Sequence, residues 1–373
     1  MATIRRQFPR PGAIDPAGVA ALIERVGPIQ SQVARSVFAA VASRLPGATH
    51  AAISAAHEEY AVVRGSSLRG TVHTCAASHH AIVDAVARVA LAPAWRRGLR
   101  LDDARVAAAR AAMERFATGE WRTPAELRAH LTHWLDQQGE TAAAAASAVE
   151  GEGRAMAHLH SALIRRPAGA GAWDRQAPPV YRVASDLLPA SAASGVDDPD
   201  AALAALVRQH LRAFGPANRR DVAWWSGAGL RAVDTALAAL GDEVITRPGP
   251  DGQAYHDLAD PPGDGPDDPG PRLVAEYDAL VVGYDPASRH RFLDPEHTQR
   301  LWRPSNGVFT AAVLVGGVLS ASWRLTGSGR RRVLEVEMFP GRGAVPTDAL
   351  AEPARALGVA LDVEIADVRV MAP

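Results

Sequence analysis

Gln30 and Gln32 flank a small residue in the stretch Gly27-Pro28-Ile29-Gln30-Ser31-Gln32-Val33-Ala34-Arg35. A carboxamide donates and accepts hydrogen bonds without carrying charge, so two of them can hold or orient a target but cannot ionise it. In an α-helix, residues two apart point about 200° away from each other. In an extended segment they point the same way. A short non-helical entry to the following helix would therefore aim both amides at one object. The plainer alternative is a pair of solvated residues in the first turn of a helix.

The surrounding elements set that geometry. Residues 15–26 have apolar positions at helical spacing, with Asp15 placed to cap and Pro16 at the first helical position. Gly27-Pro28 breaks this helix, residues 33–45 resume it, and Pro46-Gly47 stops it. A third helix is expected over 50–60, then a strand over 61–64. Gly65-Ser66-Ser67 reads as the turn into a second strand over 69–74, which puts Arg69 and His73 on one strand face. Three helices and a hairpin are the order of a winged helix.

The pattern recurs twice. Thr123-Pro124-Ala125-Glu126 is a capping box opening a helix over 127–135. A helix near 151–163, a Gly-rich hairpin around 165–173 and a strand over 180–183 complete the second copy. The third has helices over 201–214 and 230–240, joined by Gly215-Pro216 and Trp224-Trp225, then a hairpin turning at Pro248 to Gly252. Residues 259–271 form an acidic Pro/Gly linker. Beyond it come a hairpin turning at Gly316-Gly317, a strand over 332–339, a helix over 347–357 and a last strand over 361–370. The expected fold is α+β: three tandem winged-helix modules (1–118, 119–195 and 196–260), then a linker and β-rich domain (261–373).

At 373 residues, 47% hydrophobic and 22% charged, the chain reads as soluble, globular and multidomain. No apolar run approaches a membrane span, and residues 1–10 are too polar for a secretory signal. A single cysteine, Cys75, rules out an internal disulfide framework and suits the cytoplasm. Residues 1–175 hold 21 arginines against 15 acids, whereas residues 176–300 hold 11 against 19. A basic first half beside an acidic middle fits a nucleic-acid face on one side only. All 40 basic residues are arginine, which suits bidentate phosphate contact and excludes lysine Schiff-base chemistry.

Other catalytic patterns fail. His79-His80 and His158-Leu159-His160 lack partners at metal spacing, and His57-Glu58-Glu59 does not complete a zinc-protease motif, so no metal or other cofactor is expected. There is no phosphate loop and no Gly-x-Ser-x-Gly elbow. Of Trp224 and Trp225, helical spacing sends one ring to the core and leaves the other free to stack on a base.

The segments GPIQSQVARS, SSLRGTVHT, FGPANRRDVAWWSG, YDALVVGYDPASRHRFL and NGVFTAAVLVGGVLSASWRL follow one another between residues 27 and 325. Together they resemble the tandem winged-helix DNA glycosylases of the AlkZ/YcaQ family. The resemblance implies a C-shaped protein closing around duplex DNA and excising N7-alkylated guanines, including bulky natural-product adducts and interstrand crosslinks. It places the family's Gln-x-Gln motif on Gln30 and Gln32. Where the family's middle residue is typically aliphatic, this chain has Ser31.

So modest a motif suits that chemistry. An N7-alkylguanine is already cationic and leaves without a general acid. What remains is to place a water at C1′ and stabilise an oxocarbenium-like sugar. Gln32 is assigned to the water, and Gln30 to supporting it or touching the sugar-phosphate. Without lysine, the enzyme is expected to be monofunctional, leaving an abasic site. Arg35, Arg69, His73, Arg219, Arg220 and Arg324 are the candidate DNA contacts. The expected partner is double-stranded DNA containing alkylated guanine, bound by a monomer. The alternatives are a non-catalytic winged-helix regulator and a protein that sequesters the adduct without cutting.

Overall fold

A computed structural model describes residues 2–150, 156, 159–169, 172–189, 198–249, 251–303 and 307–372. After a short helix α1 (Ala2–Gln7), α2 (Pro16–Val26) starts where Asp15 accepts the Gly18 amide and ends at Gly27, whose φ is +90°. Then follow β1 (Ile29–Gln30), α3 (Ser36–Arg44), α4 (His50–Glu58), β2 (Val62–Ser66) and β3 (Val72–Ala76). Helices α5 (His80–Leu99) and α6 (Asp103–Phe116) lead to α7 (Pro124–Asp136), which opens on the Thr123–Glu126 capping box. Next come α8 (Glu140–Glu150), β4 (Leu163–Pro167) and β5 (Pro179–Val183). The third set is α9 (Pro199–Phe214), β6 (Ala217–Asn218), α10 (Arg219–Ser226), α11 (Leu230–Ala239), β7 (Val244–Pro248) and β8 (Ala254–Leu258).

Two of these sets are wired identically. In each, a helix is followed by a two-residue strand, two helices and a hairpin. The short strand pairs with the second hairpin strand, giving the orders β1-β3-β2 and β6-β8-β7. The middle set repeats the wiring with a bridge from Arg122 to Tyr181 in place of the short strand. The first two hairpins also join edge to edge, in the order β1-β3-β2-β4-β5, at Gly65 opposite Ile164. A Cβ on Gly65 would sit 3.1 Å from the Leu163 carbonyl oxygen, so glycine lets the two strands approach closely at the seam.

The C-terminal part contains β9 (Arg272–Val274), β10 (Trp302–Arg303), β11 (Val308–Phe309), β12 (Ala312–Val315), β13 (Val318–Thr326), β14 (Arg331–Met338), α12 (Ala351–Leu361) and β15 (Glu364–Met371). Five of its strands form one sheet, ordered β15-β14-β13-β12-β9, with β15 parallel to β14 after the α12 crossover. The turn at Gly316-Gly317 has φ of +54° and +83°, the two left-handed positions a type I′ hairpin requires.

Several boundaries differ from expectation. Residues 31–35 are not helical, and α3 begins only at Ser36. Strand β2 runs on through Ser66, and the hairpin instead turns at Leu68–Gly70. Leu68 is fully buried beside Val83, Val86 and Trp225, and this burial fixes the turn. The C-terminal helix starts at Ala351 after a tight turn, which places Pro353 in its first turn, where no amide partner is lost. Most of the helix expected near 151–163 lies outside the described residues, and Leu163 is in β4.

The cores cross the sequence units. Val37, Phe38 and Val41 of α3 share one cluster with Val313, Trp323, Val336 and Leu357 of the C-terminal part. Leu68 and Val86 share another with Leu206, Phe214, Trp225 and Tyr284.

Burial also sets the titration behaviour. His57 and His210 are pushed down to about 4, and His73 and His160 to about 3, chiefly because burial penalises the imidazolium. An unfolded histidine titrates near 6.5, so below that pH the unfolded chain binds more protons than the native one. These residues therefore leave stability intact above about pH 6.5 and reduce it as pH falls toward their folded values. Urea unfolding between about pH 4 and 8 should show that slope. A flat profile would mean the four imidazoles are hydrated in the native state.

Candidate active site

Strand β1 is two residues long, and its pairing explains why the helix is delayed. Ile29 lies opposite Thr74 and Gln30 opposite His73, and the Ser31 amide donates to the Val72 carbonyl at 2.8 Å. The backbone is thus held extended through Ser31 and bends at Gln32-Val33. Alternation turns Ser31 away from Gln30. Its hydroxyl accepts from Thr74 Oγ1 at 3.1 Å, and its carbonyl accepts from Arg64 Nη2 at 2.6 Å. Ser31 is fully buried, so a hydroxyl pair here does the packing that an aliphatic residue would otherwise do.

That pairing gives a direct test. Ser31→Val should destabilise the protein by about 1–3 kcal/mol, because it strands the buried Thr74 hydroxyl. Adding Thr74→Val should recover most of the loss, as read from denaturant midpoints. If the double variant is no better than the single, the hydroxyl pair is not what holds the segment.

The two amides differ sharply. Gln30 is 6% exposed, and its Oε1 accepts from Arg69 Nη2 at 3.2 Å. A guanidinium only donates, so the amide oxygen must face Arg69 and the NH2 group faces away. Gln32 is exposed, with no hydrogen-bond partner among the described residues. One carboxamide is therefore clamped and the other is free at the surface. Arg69 also donates from Nη1 to the Trp225 carbonyl at 2.6 Å, which ties Gln30 to helix α10.

Arg69 and Arg64 are both pushed down to about 10, first by burial and then by a neighbouring cation, Arg289 and Arg165 respectively. Both remain charged at neutral pH. Neither has a carboxylate within ion-pair distance among the described residues. A buried and a half-buried cation, neither paired to an acid among the described residues and both bonded to an extended amide segment, attract anions.

The other expected contacts are placed as follows. Arg69 and His73 do not share a strand face: Arg69 is in the tight turn with a φ of +56°, and only His73 is in β3. Both still reach Gln30, Arg69 by hydrogen bond and His73 by pairing across the sheet. His73 is 3% exposed, with Nδ1 at 3.1 Å from Ser67 Oγ and 3.2 Å from the Thr71 carbonyl. Buried and neutral, it is an internal support for Gln30 in this structure, not the surface phosphate ligand expected from the sequence.

Arg35 and Arg324 line one cleft of about 620 Å³ between Val33–Arg35 and the C-terminal sheet, and neither Gln30 nor Gln32 lines it. Each arginine faces an acid. Arg35 forks onto buried Glu276, which also accepts from Ser36 Oγ, and Arg324 donates to Glu335 at 2.8 Å. Arg219 is paired with Asp234, while the exposed Arg220 side chain has no partner among the described residues. Neither lines that cleft. A larger groove of about 1280 Å³ lies between His50 and the α12–β15 edge, and none of these candidates lines it.

Some contacts escaped the sequence. Glu276 and the Trp225 carbonyl are separated from their partners by more than 150 residues, and no local pattern marks them. One ligand atom each of Asp294, Glu296 and His297 lies within 4.8 Å of the others, a grouping outside the metal-ligand spacings considered from the sequence, with Asp294 also paired to Arg342. Trp225 is core at 2% exposure and Trp224 is 39% exposed, the split that helical spacing anticipates.

Three comparisons bear on this geometry. No curated protein matches the chain. Among solved structures, it is similar to Streptomyces sahachiroi DNA glycosylase AlkZ, with a TM-score of 0.80 and 19% identity, covering 99% of this chain and 97% of that one. At that identity the likeness establishes the mixed helix-and-sheet fold. The family model described as DNA glycosylase AlkZ-like matches residues 23–361, a span holding both amides, the Arg69 turn and the C-terminal sheet except its edge strand β15. The chain belongs to the AlkZ-like DNA glycosylase family.

Proposed function

We propose that this protein is a monofunctional DNA glycosylase that hydrolyses the N-glycosidic bond of N7-alkylguanine in duplex DNA, bulky adducts included. The observation that carries the reading is the asymmetry of the two amides: Gln30 immobilised by Arg69, and Gln32 exposed two residues further on. Gln32 orients the attacking water toward C1′ through its carbonyl oxygen. Gln30, its oxygen already taken, presents its NH2 group to the sugar-phosphate. The cationic base departs without a general acid. With no lysine in the chain, attack is by water and the product is an abasic site.

Each repeated set of helices and hairpin is read as a winged-helix unit, over 1–118, 119–195 and 196–260, followed by the β-rich part over 261–373. Duplex DNA is bound by a monomer through arginine–phosphate contacts, with a salt-dependent affinity. No described helix is long and apolar enough to cross a membrane. Buried Cys75, its thiol pushed up to about 12 by burial, is unreactive and consistent with a cytoplasmic setting.

The test is base release from a duplex carrying one N7-alkylguanine, in a simple and a bulky version. Time-dependent abasic sites are expected with the native protein. Tight binding without release would replace the reading by adduct sequestration, and equal affinity for undamaged operator-like DNA would replace it by regulation.

A further inference from the structure

The Arg69–Gln30 pair continues outward into a second feature. Trp225, whose carbonyl holds Arg69, is followed backward in the chain by Trp224, one of the few large apolar side chains left exposed. The Arg289 guanidinium sits 5.4 Å from the Trp224 ring centroid and 5.0 Å from that of Phe309, with Nε donating to the Val281 carbonyl at 3.0 Å. Arg289 has no carboxylate within ion-pair distance among the described residues. Both guanidiniums border the same turn of α10, Arg69 at the Trp225 carbonyl and Arg289 over the Trp224 ring, and Arg289 helps hold Arg69 below its ordinary value.

Two neighbouring cations with no ion-pair partner among the described residues, one of them against an exposed indole and feeling Asp285 only from beyond ion-pair distance, form an unusual surface in a chain where many other arginines are ion-paired. Each guanidinium keeps N–H groups available for an anion. The indole, with the Arg289 guanidinium over its ring, is still 39% exposed and so offers apolar surface to a ligand. A nucleotide supplies the complement of both: a phosphate for the arginines and a base for the ring.

We infer that Trp224, Arg289 and Arg69 form a binding site for a nucleotide flanking the lesion, with Arg289 and Arg69 on its phosphate and Trp224 stacked on its base. Trp224 and Arg289 are positioning residues here, since they touch DNA beside the reacting sugar. The inference rests on duplex DNA being the substrate, but not on base release. Stacking tolerates any base, so the site fixes the register of the strand against Gln30 and Gln32 without selecting sequence.

The experiment uses the full chain and a fluorescently labelled duplex with a tetrahydrofuran abasic analogue, which holds no cleavable base. Binding is read by anisotropy at several salt concentrations. Trp224→Ala should weaken binding about 10–100-fold, and Trp224→Phe should retain most of it. Arg289→Ala should weaken binding and lower the magnitude of the salt slope by about one. Native melting midpoints for the Trp224 variants keep the comparison clean, because that side chain is exposed. Native-like binding by Trp224→Ala, an unchanged salt slope in Arg289→Ala, or failure of the native protein to bind the duplex would each overturn the site. A protein that shows these losses but releases no base from N7-alkylguanine would keep the site and lose the proposed activity.

Discussion

Gln32→Ala is expected to reduce base release at least about 100-fold while leaving the fold and DNA affinity nearly unchanged. Positioning an attacking water, or receiving its proton, is typically worth about 10²–10⁴ in rate, and the neighbouring carboxamide oxygen, that of Gln30, is already engaged by Arg69. The side chain is exposed and unpartnered among the described residues, so its removal should alter stability by less than about 0.5 kcal/mol. The loss should therefore fall in single-turnover rate and not in KM. Gln32→Glu, which keeps an acceptor oxygen at the same reach, should retain more activity than alanine. Equal release by Gln32→Ala and the native protein would move the chemistry away from this segment. A parallel Gln30→Ala variant should differ, because it also strands a donor of Arg69 and so affects stability as well as rate.

The largest effect on stability is expected at Arg44 and Asp278. Both side chains are 2% exposed, and Arg44 donates to the two Asp278 oxygens at 2.9 and 3.0 Å. Arg44 also donates to Gln7 Oε1 and lies over the Phe8 ring, so one guanidinium ties α1, α3 and the start of the C-terminal part together. Removing either partner leaves a charge buried without its counter-ion, which typically costs about 3–5 kcal/mol. Arg44→Met and Asp278→Leu should each lower the urea midpoint strongly. The double variant should be much closer to native than the sum of the singles, since an apolar pair is often no worse than a buried ion pair. Additive losses would show that the two groups are hydrated and independent.

Much of the local structure was legible because its signals are short-range. Asp15 with Pro16, the Thr123–Glu126 capping box and Gly316-Gly317 each act within a few residues, and each is where local chemistry puts it. The misplaced hairpin turn shows the limit. Gly65-Ser66-Ser67 is good turn chemistry, yet burial of Leu68 among residues of α5 and α10 moves the turn to Leu68–Gly70. The same shift takes Arg69 off the strand and brings it to Gln30. Helix α3 was expected three residues too early because helical spacing does not register that Gln30 and Ser31 pair with β3.

The sequence by itself determined the repeated order of helices and hairpins, the absence of lysine chemistry, and an amide pair at a break between helices. Those follow from residue type and near-neighbour spacing. Only the tertiary structure decided that the amides are unequal, that His73 is an internal support, and that Arg35 is paired with Glu276 while Arg69 has no acid partner among the described residues. Each depends on partners far away in the chain. Whether a charge is paired or a hydroxyl buried is set by which distant backbone packs beside it, and one-dimensional spacing does not encode that.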